Sequence, residues 1–146
     1  MFSKEDSAKL RQHFWTSFGK SFPRKWLLYN TKIKGVRFKF VANRKEAMVC
    51  LDIEHPIDIA NELLYEQIVS LKSILTDEFL PKAIFDSAFE LENKKIIHRI
   101  YVRHEEKFSI HNKDTWKECY EFFVSTMPKF ELFYHEYEDY IKQVLR

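Results

Sequence analysis

Apolar residues return at helical spacing near the start of the chain. Leu10, Phe14 and Phe18 recur every four residues, with Trp15 beside them, and make one apolar face of a helix. Ser3 stands where a cap is needed, and Glu5 and Asp6 fall in the first turn, where the helix dipole favours carboxylates. Gly19 is the expected stop. From Lys20 to Gly35 the pattern fits a loop, a short helical turn or an edge strand; Pro23 forbids a continued regular helix. The period then changes to two. Val36, Phe38 and Phe40 alternate with Arg37, Lys39 and Val41, as in a half-buried strand, and 42–45 reads as a turn. A second strand follows over 46–54. It sets Ala47, Val49, Leu51 and Ile53 on one face and Met48, Cys50, Asp52 and Glu54 on the other. The two strands make an antiparallel hairpin.

Helical spacing resumes after Pro56, which suits a first turn. Ile59, Leu63, Leu64, Ile68, Leu71, Ile74 and Leu75 carry it over 57–75, and Pro81 lies beyond its end. Two further strands are expected over 83–92 and 95–103 around Asn93-Lys94, and a third, short one over 108–110. The last third is helical. Asn112 or Asp114 can cap it, and Trp116, Tyr120, Phe123 and Met127 form one stripe. Pro128 is expected to break or kink the path. A last helix then carries Phe130, Phe133, Tyr134, Tyr137, Tyr140, Ile141 and Val144. This order predicts an α+β fold: an N-terminal helix, a β-hairpin, a helix, two or three further strands, and C-terminal helices packed on a largely antiparallel sheet. A length of 146 residues predicts one domain, 1–146.

Composition narrows the chemistry. With two glycines, a Gly-rich phosphate loop has nothing to be built from. No nucleophile elbow, zincin motif or Cys-x-x-Cys pair is present, and the six histidines are scattered. No cofactor is implied, and nothing rises to a catalytic signature. Cys50 and Cys119 lie in apolar segments and read as reduced core thiols. The first ten residues hold charges where a secretory signal needs an apolar run. No stretch approaches the roughly 20 apolar residues of a membrane span. The expectation is a cytoplasmic protein with no membrane partner.

Charge supplies the least average feature. Residues 1–45 carry 12 Lys/Arg and 2 Asp/Glu, a net of +10; residues 46–146 carry 12 and 20, a net of −8. Arg24, Lys25, Lys32, Lys34, Arg37, Lys39, Arg44 and Lys45 surround Trp26, Tyr29, Phe38 and Phe40. Cations with interleaved aromatics can track a nucleic-acid backbone and stack its bases. Arg24, Lys25, Trp26, Tyr29, Lys32, Lys34, Arg37, Lys39, Arg44 and Lys45 are therefore the candidate binding residues. The competing reading is internal: the basic third lies against the acidic remainder. The aromatic last helix suits either the core or a homodimer interface.

One acidic cluster, Asp52-Ile53-Glu54-His55, ends the second strand. Asp52 and Glu54 share a face and can in principle hold a divalent cation, with Glu66 as a further carboxylate. The plainer reading is a solvated strand end leading into a helix. The element order resembles the core of restriction-endonuclease-like nucleases, which place an acid on one strand and Glu/Asp-x-Lys on the next. Here Asp52-x-Glu54 has no such lysine, and the strand before it has no carboxylate. Any kinship would be one of fold, with a degraded metal site.

A second resemblance spans nearly the whole chain. It is carried by Arg11-x-x-Phe14-Trp15-x-x-Phe18-Gly19, Trp26, Tyr29-Asn30-Thr31-Lys32, Gly35 and Asn43-Arg44-Lys45. Ile53-Glu54, Tyr65-Glu66 and Asn112 with Trp116 continue it. In these positions the sequence resembles a family of bacterial proteins defined only as a domain of unknown function, found alone or appended to nuclease-type domains. The resemblance implies a link to nucleic-acid processing or defence and assigns no active-site residue. The expectation is a non-enzymatic binding module associated with nucleic acid through its basic third; the alternative is a divergent nuclease-like enzyme.

Overall fold

A computed structural model describes residues 3–146. Helix α1 (Lys4–Ser21) opens on a capping box: Ser3 accepts from the Asp6 amide while Asp6 reaches back to the Ser3 amide. Gly19 does not end this helix, which runs on to Ser21 before Pro23. No strand or helix occupies 24–35, so the ambiguous stretch is a loop with turns. Strands β1 (Val36–Ala42) and β2 (Ala47–Ile53) form the expected hairpin, with Phe38 opposite Leu51 and Arg37 opposite Asp52.

Helix α2 (Asp58–Val69) is shorter than its apolar pattern predicts. It starts beyond Pro56 and ends at Ser70; a single turn, α3 (Lys72–Ile74), then runs into a π-helical turn (Leu75–Phe79). Ala60, Leu64, Ile68, Leu71 and Leu75 face the core, while Ile59 and Leu63 are exposed. Strands β3 (Ile84–Glu90) and β4 (Ile96–Arg103) form a second antiparallel hairpin, irregular between Asp86 and Phe89. Residues 108–110 are not a strand; only the Ile110 amide reaches the hairpin, at the Asn43 carbonyl. A 3-10 turn (Lys113–Thr115), capped by Asn112, leads into α4 (Trp116–Lys142), and a second one (Gln143–Leu145) follows it.

Helix α4 corrects the expectation of a break. It runs through Pro128 without interruption. Phe123 and Met127 before the proline, and Phe130, Phe133 and Tyr134 after it, are all fully buried. Packing on both sides of Pro128 holds the path that one missing backbone hydrogen bond would loosen. The same burial spends most of the aromatic stripe inside the chain; only Tyr137 and Tyr140 remain half-buried.

The four strands make one antiparallel sheet in the order β1-β2-β4-β3. All longer helices lie on one face of it. Phe14 meets Trp116 and Tyr120 at 5.1 and 4.9 Å between ring centres, and Phe38 meets Phe130 at 5.3 Å. The fold is α+β, with an antiparallel sheet covered on one side. Among the described residues no helix is long and apolar enough to cross a membrane.

Candidate functional site

The uncovered face of the sheet carries most of the charge chemistry. Strand pairing places Arg37, Asp52, Arg99 and Asp86 in one row across all four strands, alternating in sign. Asp52 is fully buried and Arg99 nearly so. Arg99 donates to Asp52 through Nε and Nη2 at 2.7 and 2.9 Å, a bidentate pair. Burial works against the Arg99 charge, but the bond to Asp52 and the negative groups around it outweigh that, and its proton is held more tightly than usual. The Arg99 guanidinium also lies 4.3 Å from the centre of the Phe89 ring. Below this row, Glu54 accepts from Lys95 and, at 3.2 Å, from Arg37. The Lys95 hydrogen bond holds the Glu54 carboxyl below its ordinary range. Met48, Cys50 and Tyr101 fill the gaps and form a small second core with Val41 and Phe89.

This arrangement decides what the acidic cluster can do. Asp52 and Glu54 do share a face, but both Asp52 oxygens carry Arg99 and both Glu54 oxygens carry cations. A divalent cation there would have to displace an arginine. Glu66 is exposed on α2, across the sheet from both carboxylates. His55 serves the strand end: its amide donates to Asn61 Oδ1, its carbonyl accepts from Asn61 Nδ2, and its Nδ1 accepts from the Ile57 amide. Gly35 is needed against it, because a Cβ there would stand 2.6 Å from His55 Cα, at φ +83°. Among the described residues no three His, Cys, Asp or Glu are grouped to hold a metal ion.

The basic third does not fold into one patch. Arg24 is paired with the buried Glu131 at 2.6 Å and lies over Trp26, and Arg37 is paired with Glu54. Trp26 and Phe40 pack edge to face at 5.2 Å, and Phe38 is fully buried, so these rings belong to the core. Tyr29 is 71% exposed. Lys25, Lys32, Lys34, Lys39, Arg44 and Lys45 are exposed and enter no ion pair among the described residues. Internal pairing with the acidic remainder therefore accounts for two of the eight candidate cations.

Two of the free cations, Lys32 and Lys34, project from a tied loop. Tyr134 donates to the Thr31 carbonyl, and Thr31 Oγ1 donates to the Val36 carbonyl at 2.6 Å. Lys32 takes a left-handed conformation, φ +63°, between these anchors. The other end of β1 lies roughly 20 Å away at the strand rise of about 3.4 Å per residue. There Arg44 and Lys45 tip the hairpin. Asn43 Oδ1 accepts from the amides of Lys45 and Glu46, and the Asn43 carbonyl accepts from the Ile110 amide. The hairpin tip is thereby pinned to the loop that follows β4. Arg44, Lys45, Lys107, Ser109, Asn112 and Thr115 surround a depression of about 410 Å³. Sequence reasoning missed Lys107, which lies 62 residues beyond Lys45 and outside the basic run. Nothing local to Lys107 marks it.

Both cysteines are free and buried. Burial pushes the Cys50 thiol well up, and the Cys119 thiol up to about 12.

A four-stranded antiparallel sheet covered by helices on one face and closed on the other by its own paired side chains defines the class: an α+β domain. The chain matches the family described as Domain of unknown function (DUF4268) over residues 10–138 and belongs to it. No curated protein and no solved structure matches it.

Proposed function

We propose that the protein is a non-enzymatic binding module, acting as one domain over 1–146, that holds the phosphate backbone of nucleic acid. The observation that carries this reading is the hairpin end. Arg44 and Lys45 from one loop and Lys107 from another meet around a single depression, and none of the three enters an ion pair among the described residues. Cations gathered at one depression repel one another, and an anion joining them relieves that repulsion. Lys25, Lys32 and Lys34 extend the contact, while Arg37 and Lys39 lie on the sheet face, where most cations are already paired. The nuclease-like alternative is the weaker reading, because Asp52 and Glu54 are spent on Arg99, Arg37 and Lys95. Free thiols at Cys50 and Cys119 suit a reducing, cytoplasmic setting.

Phosphate contacts release counterions, so affinity should fall linearly on a log–log plot against salt. Fluorescence anisotropy with a labelled oligonucleotide measures that slope. The Arg44→Ala/Lys45→Ala pair should weaken binding and lower the slope by about two, one per lost phosphate contact. No binding of the wild type at low salt would end this reading.

A further inference from the structure

A groove of about 470 Å³ runs between the end of α1, the loop after it and the middle of α4. Phe22, Pro23, Arg24, Trp26, Val124 and Pro128 line it. Its walls are mostly apolar, and two features inside it are not explained by packing.

The first is Pro128. Proline has no N–H, so the carbonyl of Val124, four residues earlier, loses its regular helical donor. Both residues line the groove, in the middle of a 27-residue helix. The second is Arg24. Its Nη2 donates to Glu131 Oε1 at 2.6 Å, and Glu131, only 4% exposed, also accepts from the Leu27 amide at 2.7 Å. The guanidinium stands 4.2 Å from the centre of the Trp26 ring, and that ring stacks on Phe18 at 14°. A cation is thus locked in place over a stack of two rings, with part of its surface still open: its side chain is 47% exposed.

The surroundings of the groove are basic. Lys20, Lys25 and Lys129 are exposed next to lining residues and enter no ion pair among the described residues. Within four positions of any lining residue, Glu121 is the sole exposed carboxylate.

We infer that this groove takes one unpaired base of a single-stranded nucleic acid. The inference rests on the phosphate-binding reading above and names the strand type and the base site. A nucleobase is flat and apolar on its faces, which suits the Phe22, Pro23 and Pro128 walls and the Arg24 guanidinium, since bases stack on rings and on arginine planes. Its edge carries N–H donors for the Val124 carbonyl. Its own phosphates fall to Lys20, Lys25 and Lys129. A volume of about 470 Å³ is within the range of small-ligand pockets, roughly 300–1,000 Å³. A purely apolar ligand would use neither the Val124 carbonyl nor the cations. A base in a duplex could not enter.

The test compares three labelled probes of equal length by fluorescence anisotropy: an oligothymidylate strand, an abasic strand and a duplex. The oligothymidylate should bind about tenfold more tightly than the abasic strand, the scale of one stacked base. Val124→Phe fills the groove, and Pro128→Ala returns a donor to the Val124 carbonyl. Each should reduce the oligothymidylate to abasic affinity, with circular dichroism confirming the fold; Pro128→Ala should also raise the melting temperature. Equal binding of the normal and abasic strands, or unchanged affinity in both variants, overturns the base site and leaves the phosphate reading standing. Failure of all three probes at low salt removes both. A naphthalene-sulfonate dye held in the groove and displaced by no oligonucleotide would also overturn the base site, and would assign the groove to an apolar partner.

Discussion

The two faces of the sheet are closed by different means. On the covered face, Val36, Phe38, Val49, Leu51, Ile53 and Ile100 meet helices and form the large core. On the other face none of the described residues forms a helix, yet Met48, Cys50 and Asp52 are just as buried. There the cover is made of long side chains lying flat: Arg99 across Asp52 and Phe89, Arg103 over Tyr101 and paired to Glu46. The stems of these residues shield apolar surface while their heads stay paired or wet. One face is stabilised by volume, the other by pairing.

Three measurements sharpen that contrast. The largest effect is expected at Asp52. Asp52→Ala leaves Arg99 buried without its partner and should cost about 3–5 kcal/mol in urea denaturation. The double change Asp52→Leu/Arg99→Met removes both charges and should recover most of that loss. If the double variant is as unstable as the single one, the open face is not held by pairing. Leu51, the neighbour of Asp52 on the same strand, points the other way. Leu51→Ala should cost about 2–5 kcal/mol from lost transfer energy and the cavity left behind, with no charged partner to rescue it. A loss below 1 kcal/mol would mean that the covered face can collapse around the gap.

The smallest effect concerns His104, on the helical side at the end of β4. Its ring stacks on Phe122 at 4.9 Å, and its buried Nε2 has no hydrogen-bond partner among the described residues. Burial lowers its pKa below the ordinary 6.5. The unfolded chain therefore binds a proton at a higher pH than the folded one. This contribution to stability is complete above about pH 6.5 and is lost as pH falls through the window below it. His104→Phe should flatten the acid side of a melting-temperature profile from pH 8 to pH 5. An unchanged profile would assign the acid sensitivity elsewhere.

The contrast between the faces also explains what was legible in the sequence. The first hairpin was, because Val36, Phe38 and Phe40 alternate with charges on an edge strand with one wet face. So were the cap at Ser3 and the two strands around Asn93-Lys94, all local signals. Strand β2 was legible in which residues share a face, but not in burial: its polar side is closed by Arg99, 47 residues on from Asp52. The continuous α4 was hidden by the weight given to Pro128. Yet Trp116, Tyr120, Phe123, Met127, Phe130, Tyr134, Tyr137 and Ile141 step by four and three without a phase change across it. That unbroken phase was the signal. The exposure of Ile59 and Leu63 was masked because six apolar residues compete for one stripe of α2, and only the partner elements choose among them. At the candidate site, Arg44 and Lys45 were marked by sequence. Their meeting with Lys107 depends on an Asn43–Ile110 bond between distant loops.

The Asp52–Arg99 pair has a further consequence, for how the chain avoids folding wrongly. The two hairpins form from local segments, and β2 against β4 is the long-range join between them. Sliding β4 by one residue would turn Arg99 toward the aromatic core and point Ile100 at Asp52. Both misplaced groups would then be penalised at once: a charge without a partner and a carboxylate facing a methyl group. The pair is thus a mark of register on the seam, satisfied in the observed pairing of Asp52 with Arg99 and broken by an off-by-one slip.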